Sequence, residues 1–249
     1  MPAAKLTTMF TEHECPSWAC PSCGNATLKI KSGTFHYNET LESVQYRTSN
    51  DQYWDPECIS YVFSSLLVCE SSRCKEVVAC SGVGGVHQEW DGRDLDHINL
   101  FSAKYFAPAL KPFNIPSECP VSVQKALCES FSLYLNNPAA AANALRTSIE
   151  NLLTELGVPA RLPNKKGELY RLTLNARLEI LPSDFQKHLE ALTAIRWLGN
   201  AGSHNADAVS TNDIGSAYEV VEYLLSDIYG SKASAVAQII SKIRERFSS

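Results

Sequence analysis

The chain of 249 residues is 45% hydrophobic and 20% charged with a net charge of −5, a balance that suits a globular protein with two modest cores and excludes disorder or the coating of nucleic acid through bulk charge. No stretch approaches the ~18 apolar residues of a membrane span, and the opening MPAAKLTTMFTEHECPS lacks a basic region followed by an apolar run, so a cytoplasmic protein is expected. Nine cysteines are an odd number for a disulfide framework, and reduced thiols, some of them metal ligands, fit better.

CPSCG at 20–24 is the first informative element. Cys20 and Cys23 form a C-x-x-C knuckle followed by glycine, a turn that lets two thiolates reach one metal while backbone amides hold the sulfurs. CESSRC supplies Cys69 and Cys74, a looser second pair downstream that closes a four-thiolate structural zinc site of zinc-ribbon type. His13, Cys15 and Cys80 are substitute ligands, and Cys15, Cys58 and Cys80 lack a close partner at ligand spacing. A redox C-x-x-C would want a helix after it, whereas a strand follows here. Four thiolates leave no open position for water, so such a site stabilises the fold and does not catalyse.

TLKIKSGTFHY, SVQYRT and ISYVFSSLLVC, rich in β-branched and aromatic residues, read as strands, and glycine-containing turns are expected in KEVVACSGVGGVHQEW. Three prolines in KPFNIPSECP, residues 111–120, interrupt any helix there and divide the chain. The expected fold class is α+β: a zinc-ribbon-like β-rich domain over 1–115, then helices over 116–249.

The helices follow from caps and periodicity. One covers 121–135. The next has Asn137 as N-cap and Pro138 at the first helical position, buries Leu145, Ile149, Leu152 and Leu156, and stops at Gly157. A third occupies 168–179. A fourth begins at Pro182-Ser183, where Ser183 and Gln186 form a capping-box pattern, with Phe185, Leu189, Leu192, Ile195 and Leu198 inward. The fifth runs from about Asn212 to Tyr229 and ends at Gly230; the sixth, about 233–247, turns Val236, Ile240, Ile243 and Phe247 inward.

IRWLGNAGSH, residues 195–204, closes the fourth helix. Arg196, Asn200 and His204 are each four residues apart, so a helix that runs through the stretch stacks them on one face. A helix that ends near Gly199 dissolves the row, leaving Asn200 as a C-cap and His204 in a loop. Between Arg161 and His204 seven basic residues (Arg161, Lys165, Lys166, Arg171, Arg177, Lys187, Arg196) face four acidic ones (Glu168, Glu179, Asp184, Glu190). This is either a solvated mixed surface or a local phosphate-facing patch.

A zinc-ribbon-like part followed by ALRTSIENLLTELG and then IRWLGNAGSH resembles the bacterial domain-of-unknown-function family 4145. Members of that family are similar to the HEPN superfamily of helical bundles, many of them metal-independent ribonucleases in bacterial defence, toxin–antitoxin and stress systems. The resemblance implies a HEPN-like bundle over 116–249 and a catalytic trio of Arg196, Asn200 and His204. Active superfamily members place an Arg directly before the polar residue, with a His four to six residues beyond that Arg; here Gly199 stands before Asn200, and Arg196 lies one turn earlier. His204 is the proton-transfer group, Arg196 a two-pronged phosphate clamp and Asn200 an orienting group. One His cannot easily be both acid and base, so a homodimer is expected, with Gly199, Gly202 and Ser203 allowing close approach of two helices. RNA is the expected partner. The alternative is a zinc-stabilised interaction module, without activity, that assembles with a protein encoded nearby.

Overall fold

The computed structural model describes residues 3–49, 54–90, 92, 94–204, 209–230 and 240, divided into two units, Met1–Pro112 and Phe113–Ser249. The first unit is an antiparallel sheet of β1 (Leu28–Ile30), β2 (His36–Glu39), β3 (Ser60–Cys69), β4 (Val77–Trp90) and β5 (Leu95–Ala107). Strand order is β1-β3-β4-β5, and β2 shares the outer edge of β3 with β1. Phe63, Ser65, Leu67 and Cys69 are buried at every second position of β3, the period of a strand with one covered face.

Aromatic rings fill that face. Phe35 stacks on Phe63 with centroids 5.1 Å apart, Phe101 meets Phe35 edge-on at 4.8 Å, and fully buried Trp18 meets Phe10 and Phe106. The Trp18 indole nitrogen donates to the Lys5 carbonyl at 2.9 Å, which satisfies its only polar atom.

Two expectations fail in this unit. SVQYRT is not a strand but lies within α1 (Leu41–Ser49). Thr40 explains the helix: its hydroxyl accepts from the Ser43 amide at 3.3 Å and its carbonyl from Val44, an N-terminal cap that overrides weak β propensity on an exposed segment. The glycines of SGVGG do not turn the chain either. They lie inside β4, where a Cβ on Gly82 would stand 2.9 Å from Phe63 Cε1 and one on Gly84 2.8 Å from Phe101 Cε1. The missing side chains make room for the rings, and the register slips at Ser81/Gly82.

The second unit is helical: α2 (Val121–Leu133), α3 (Pro138–Glu155), α4 (Leu174–Glu179), α5 (Leu189–His204) and α6 (Thr211–Tyr229). Asn137 caps α3 by accepting from the Ala140 amide at 3.0 Å, and Gly157 takes a φ of +84° just past its end. Of the stripe expected on α3, Leu145, Ile149 and Leu152 are fully buried. At its centre the Tyr218 hydroxyl lies 2.8 Å from Ser130 Oγ, which donates to the Ala141 carbonyl, and burial pushes the phenol's pKa up.

The first half of the third expected helix is instead strand β7 (Leu169–Arg171), which forms a hairpin with β6 (Arg161–Pro163). Asn164 Oδ1 accepts from the amides of Lys166 and Glu168, and Gly167 has a φ of +82°, so the turn chemistry wins until Thr173 caps α4. The capping box expected at Ser183 does not form either. Gln186 donates instead to the Leu181 carbonyl at 2.7 Å, and Ser183–His188 is a 3₁₀ turn ahead of α5. A true capping box starts α6, with Ser210 and Asp213 satisfying each other's backbone amides. The expected sixth helix lies outside the described residues except for Ile240, which is 48% exposed rather than inward.

Gly199 and Gly202 do not end α5, which continues to His204. They face α3: a Cβ on Gly199 would stand 2.6 Å from Arg146 Cβ, and one on Gly202 2.7 Å from the Ala139 carbonyl and 3.0 Å from Ala142 Cβ. The glycines and the alanine run therefore bring two helices of one chain together, which removes the packing argument that reserved them for a second copy. Gly202→Ala is expected to destabilise by about 1–3 kcal/mol from overpacking, less up to about 1 kcal/mol gained in helix propensity. Urea unfolding measures the balance, and a stabilised variant would contradict this packing.

Candidate functional site

In the first unit the two knuckles meet. Cys20, Cys23, Cys69 and Cys74 bring their sulfurs within 4.8 Å of one another, with Cys20 Sγ 3.7 Å from Cys74 Sγ and Cys23 Sγ 3.7 Å from Cys69 Sγ. A tetrahedral ion with metal–sulfur bonds of about 2.3 Å has ligand–ligand edges of about 3.8 Å, so these spacings fit one mononuclear ion. None of the nine cysteines is in a disulfide.

Local backbone chemistry builds each knuckle. The Gly24 amide donates to the Cys20 carbonyl and Gly24 takes a φ of +73°, while Cys69 closes β3 by donating to the Glu76 carbonyl and Lys75 adopts a φ of +56°. A hydrogen bond from Ser22 to the Glu76 carboxylate ties the two turns together.

Electrostatics favour a cation among the sulfurs. The Thr27 hydroxyl, 3.1 Å from Cys69 Sγ, holds that thiol down at about 7, helped by the Ser71 amide. At Cys74 the Glu76 amide pulls down, and burial with the neighbouring thiols of Cys20, Cys23 and Cys69 pushes it up to about 12. Thiols this crowded cannot all ionise unless a positive charge sits between them. The substitutes stand apart among the described residues: His13 is exposed beside Glu12, the buried Cys15 thiol reaches the Leu28 carbonyl, and Cys80 is a buried thiol raised to about 12 by desolvation.

In the second unit α5 carries Arg196, Asn200 and His204 on one continuous helix. The guanidinium beside Asn200 is not that of Arg196. Arg146 on α3 donates from Nη1 to Asn200 Oδ1 at 2.5 Å and from Nε to Glu150 at 3.2 Å, and Ser203 donates to Asn143 at 2.6 Å one turn on. Arg196 turns to α4, where it donates to Asn175 Oδ1, and its buried Nε has no partner among the described residues. Its guanidinium lies 5.8 Å from the ring centre of Trp197, which is 62% exposed. The side chain of His204 lies outside the described residues. Sequence spacing missed Arg146 as a site residue because its i,i+4 pairing with Glu150 explains it locally, whereas its partner on α5 is 54 positions away.

Two families match the chain. Residues 129–246 match Domain of unknown function (DUF4145), and residues 8–110 match Domain of unknown function (DUF8608). The helical unit is therefore a DUF4145 domain, as its ALRTSIENLL and GNAGSH elements suggest. No curated protein and no solved structure matches the chain. No helix among the described residues is long and apolar enough to cross a membrane.

Proposed function

We propose that the protein is a zinc-stabilised, HEPN-like effector that binds RNA and cleaves it without a catalytic metal, in a bacterial defence or stress response. The observation that carries this reading is the continuity of α5 through Gly199, which keeps Arg196, Asn200 and His204 on one helix. Arg146 compensates for the missing Arg at Gly199 by delivering a guanidinium to Asn200 from α3. His204 of one copy takes the proton of the ribose 2′-hydroxyl and that of the second copy protonates the leaving 5′-oxygen, Asn200 orients the reacting groups, and Arg196 and Arg146 face the charge that develops on phosphorus. Exposed Trp197 offers a base a surface to stack on. Because each chain supplies one such His, two copies related by a two-fold axis complete the acid–base pair.

In the first unit Cys20, Cys23, Cys69 and Cys74 hold zinc, whose contribution is to cross-link the fold, since four thiolates leave no position for substrate. A second reading, an interaction module without activity, is favoured by one observation: Arg146 already commits Nη1 to Asn200 and Nε to Glu150 inside the unit. Incubation of the purified full-length protein with single-stranded RNA in magnesium-free buffer separates the two. Products with 2′,3′-cyclic phosphate ends are expected; intact RNA from the folded, dimeric protein would leave the interaction module.

A further inference from the structure

Arg177 carries a positive charge into the helical unit without a carboxylate of its own. It is only 4% exposed, and its guanidinium donates at 2.8 Å each to the Glu150 carbonyl, Thr154 Oγ1 and the Val158 carbonyl, all uncharged acceptors. Its Nε has no partner among the described residues. The Glu150 carboxylate is already divided, one oxygen accepting from Arg146 and the other from Arg171, at 3.2 Å each. Arg161 has no ion pair among the described residues and stands directly opposite Arg171 in the β6–β7 register. Like charges at facing positions of a two-stranded ribbon are destabilising unless something neutralises them.

Arg161, Arg171, Arg177, Glu150 and Thr154 line one cleft of about 280 Å³ between α3 and the hairpin. We propose that this cleft is an anion site for a terminal phosphate or diphosphate group, gripped by the Arg161 and Arg171 forks above the fixed charge of Arg177. Its size suits the phosphate group and not an attached base, since pockets that enclose whole ligands begin at roughly 300 Å³. Planar guanidiniums match phosphate oxygens two at a time, and Arg177, held by neutral oxygens, keeps its charge for the ligand. The assignment stands on the cleft and does not require the α5 row to cleave RNA. Free diphosphate and the 5′-phosphorylated end of an oligonucleotide present the same chemistry.

Calorimetric titration of the full-length protein with inorganic pyrophosphate at low salt tests it, and saturable binding of one ligand per chain is expected. The double variant Arg161→Gln/Arg171→Gln should weaken binding at least ~10-fold, whereas Lys165→Gln/Lys166→Gln, which removes the same charge from the hairpin turn, should change it less than ~3-fold. Melting curves verify that both fold. Absence of saturable binding, or equal losses from the two pairs, overturns the proposal. In a second arm, preference for a 5′-phosphorylated over a 5′-hydroxyl oligonucleotide, abolished in the arginine variant, assigns the nucleic-acid end as source; equal binding of both alongside tight pyrophosphate binding assigns the free ligand. RNA cleavage assayed on the same samples keeps a failure of this site distinct from a failure of the ribonuclease reading.

Discussion

Replacing Cys20 and Cys23 together by serine is expected to take the protein from about one zinc per chain to none and to unfold the first unit while the helical circular-dichroism signal persists. A structural zinc bound by thiolates contributes an apparent ~10–16 kcal/mol, as much as or more than the ~5–15 kcal/mol net stability of an ordinary domain, so the sheet cannot absorb its loss. Strong chelation of the wild type should have the same effect, most visibly in the near-ultraviolet signal of Trp18 and the aromatic rings packed round it. Metal analysis that finds no zinc in the wild type, or full occupancy in the double variant, would remove the metal from the account.

His204→Ala carries the second large effect. It should lower RNA cleavage at least ~10²-fold by deleting the proton-transfer group while leaving RNA affinity and the melting curve nearly unchanged. Arg196→Lys should also reduce the rate, since an ammonium cannot reproduce the two-pronged grip of a guanidinium. If the row is only a helix end, both substitutions stay within ~1 kcal/mol of neutral in stability and leave growth arrest or phage resistance intact. Wild-type activity from His204→Ala, in cells and in the purified protein, would sink the nuclease reading for α5 and shift attention to partner surfaces.

How far the sequence could be read depended on how local each determinant is. The cysteine knuckles and the Asn137-Pro138 start of α3 were legible because their partners lie within a few residues. Pairing the two knuckles needed only the absence of a rival pair at ligand spacing. Gly82, Gly84, Gly199 and Gly202 misled for the opposite reason. Locally they signal turns or helix ends, but Phe63, Phe101, Arg146 and Ala139, distant in sequence, take up the space that their missing side chains leave. SVQYRT became a helix through Thr40, just outside the window that looked like a strand. The contact between Arg146 and Asn200 had no local trace at all, and neither did the facing of Arg161 and Arg171, which depends on a hairpin whose second strand reads as the start of a helix.

The sulfur cluster can also be viewed as a matter of chain statistics. Cys23 and Cys69 are 46 positions apart, and the segment between them contains β1, β2, α1 and nearly all of β3. Joining its ends through one ion would remove from the unfolded chain a loop-closure freedom worth roughly 4 kcal/mol by the relation used for covalent cross-links. The short outer strands, which bury little surface of their own, then need not find the long central ones by diffusion. Without the clasp, the edge of β3 that pairs with β1 and β2 would be left as an open row of amides and carbonyls, the geometry from which sheets recruit strands of other molecules and aggregate.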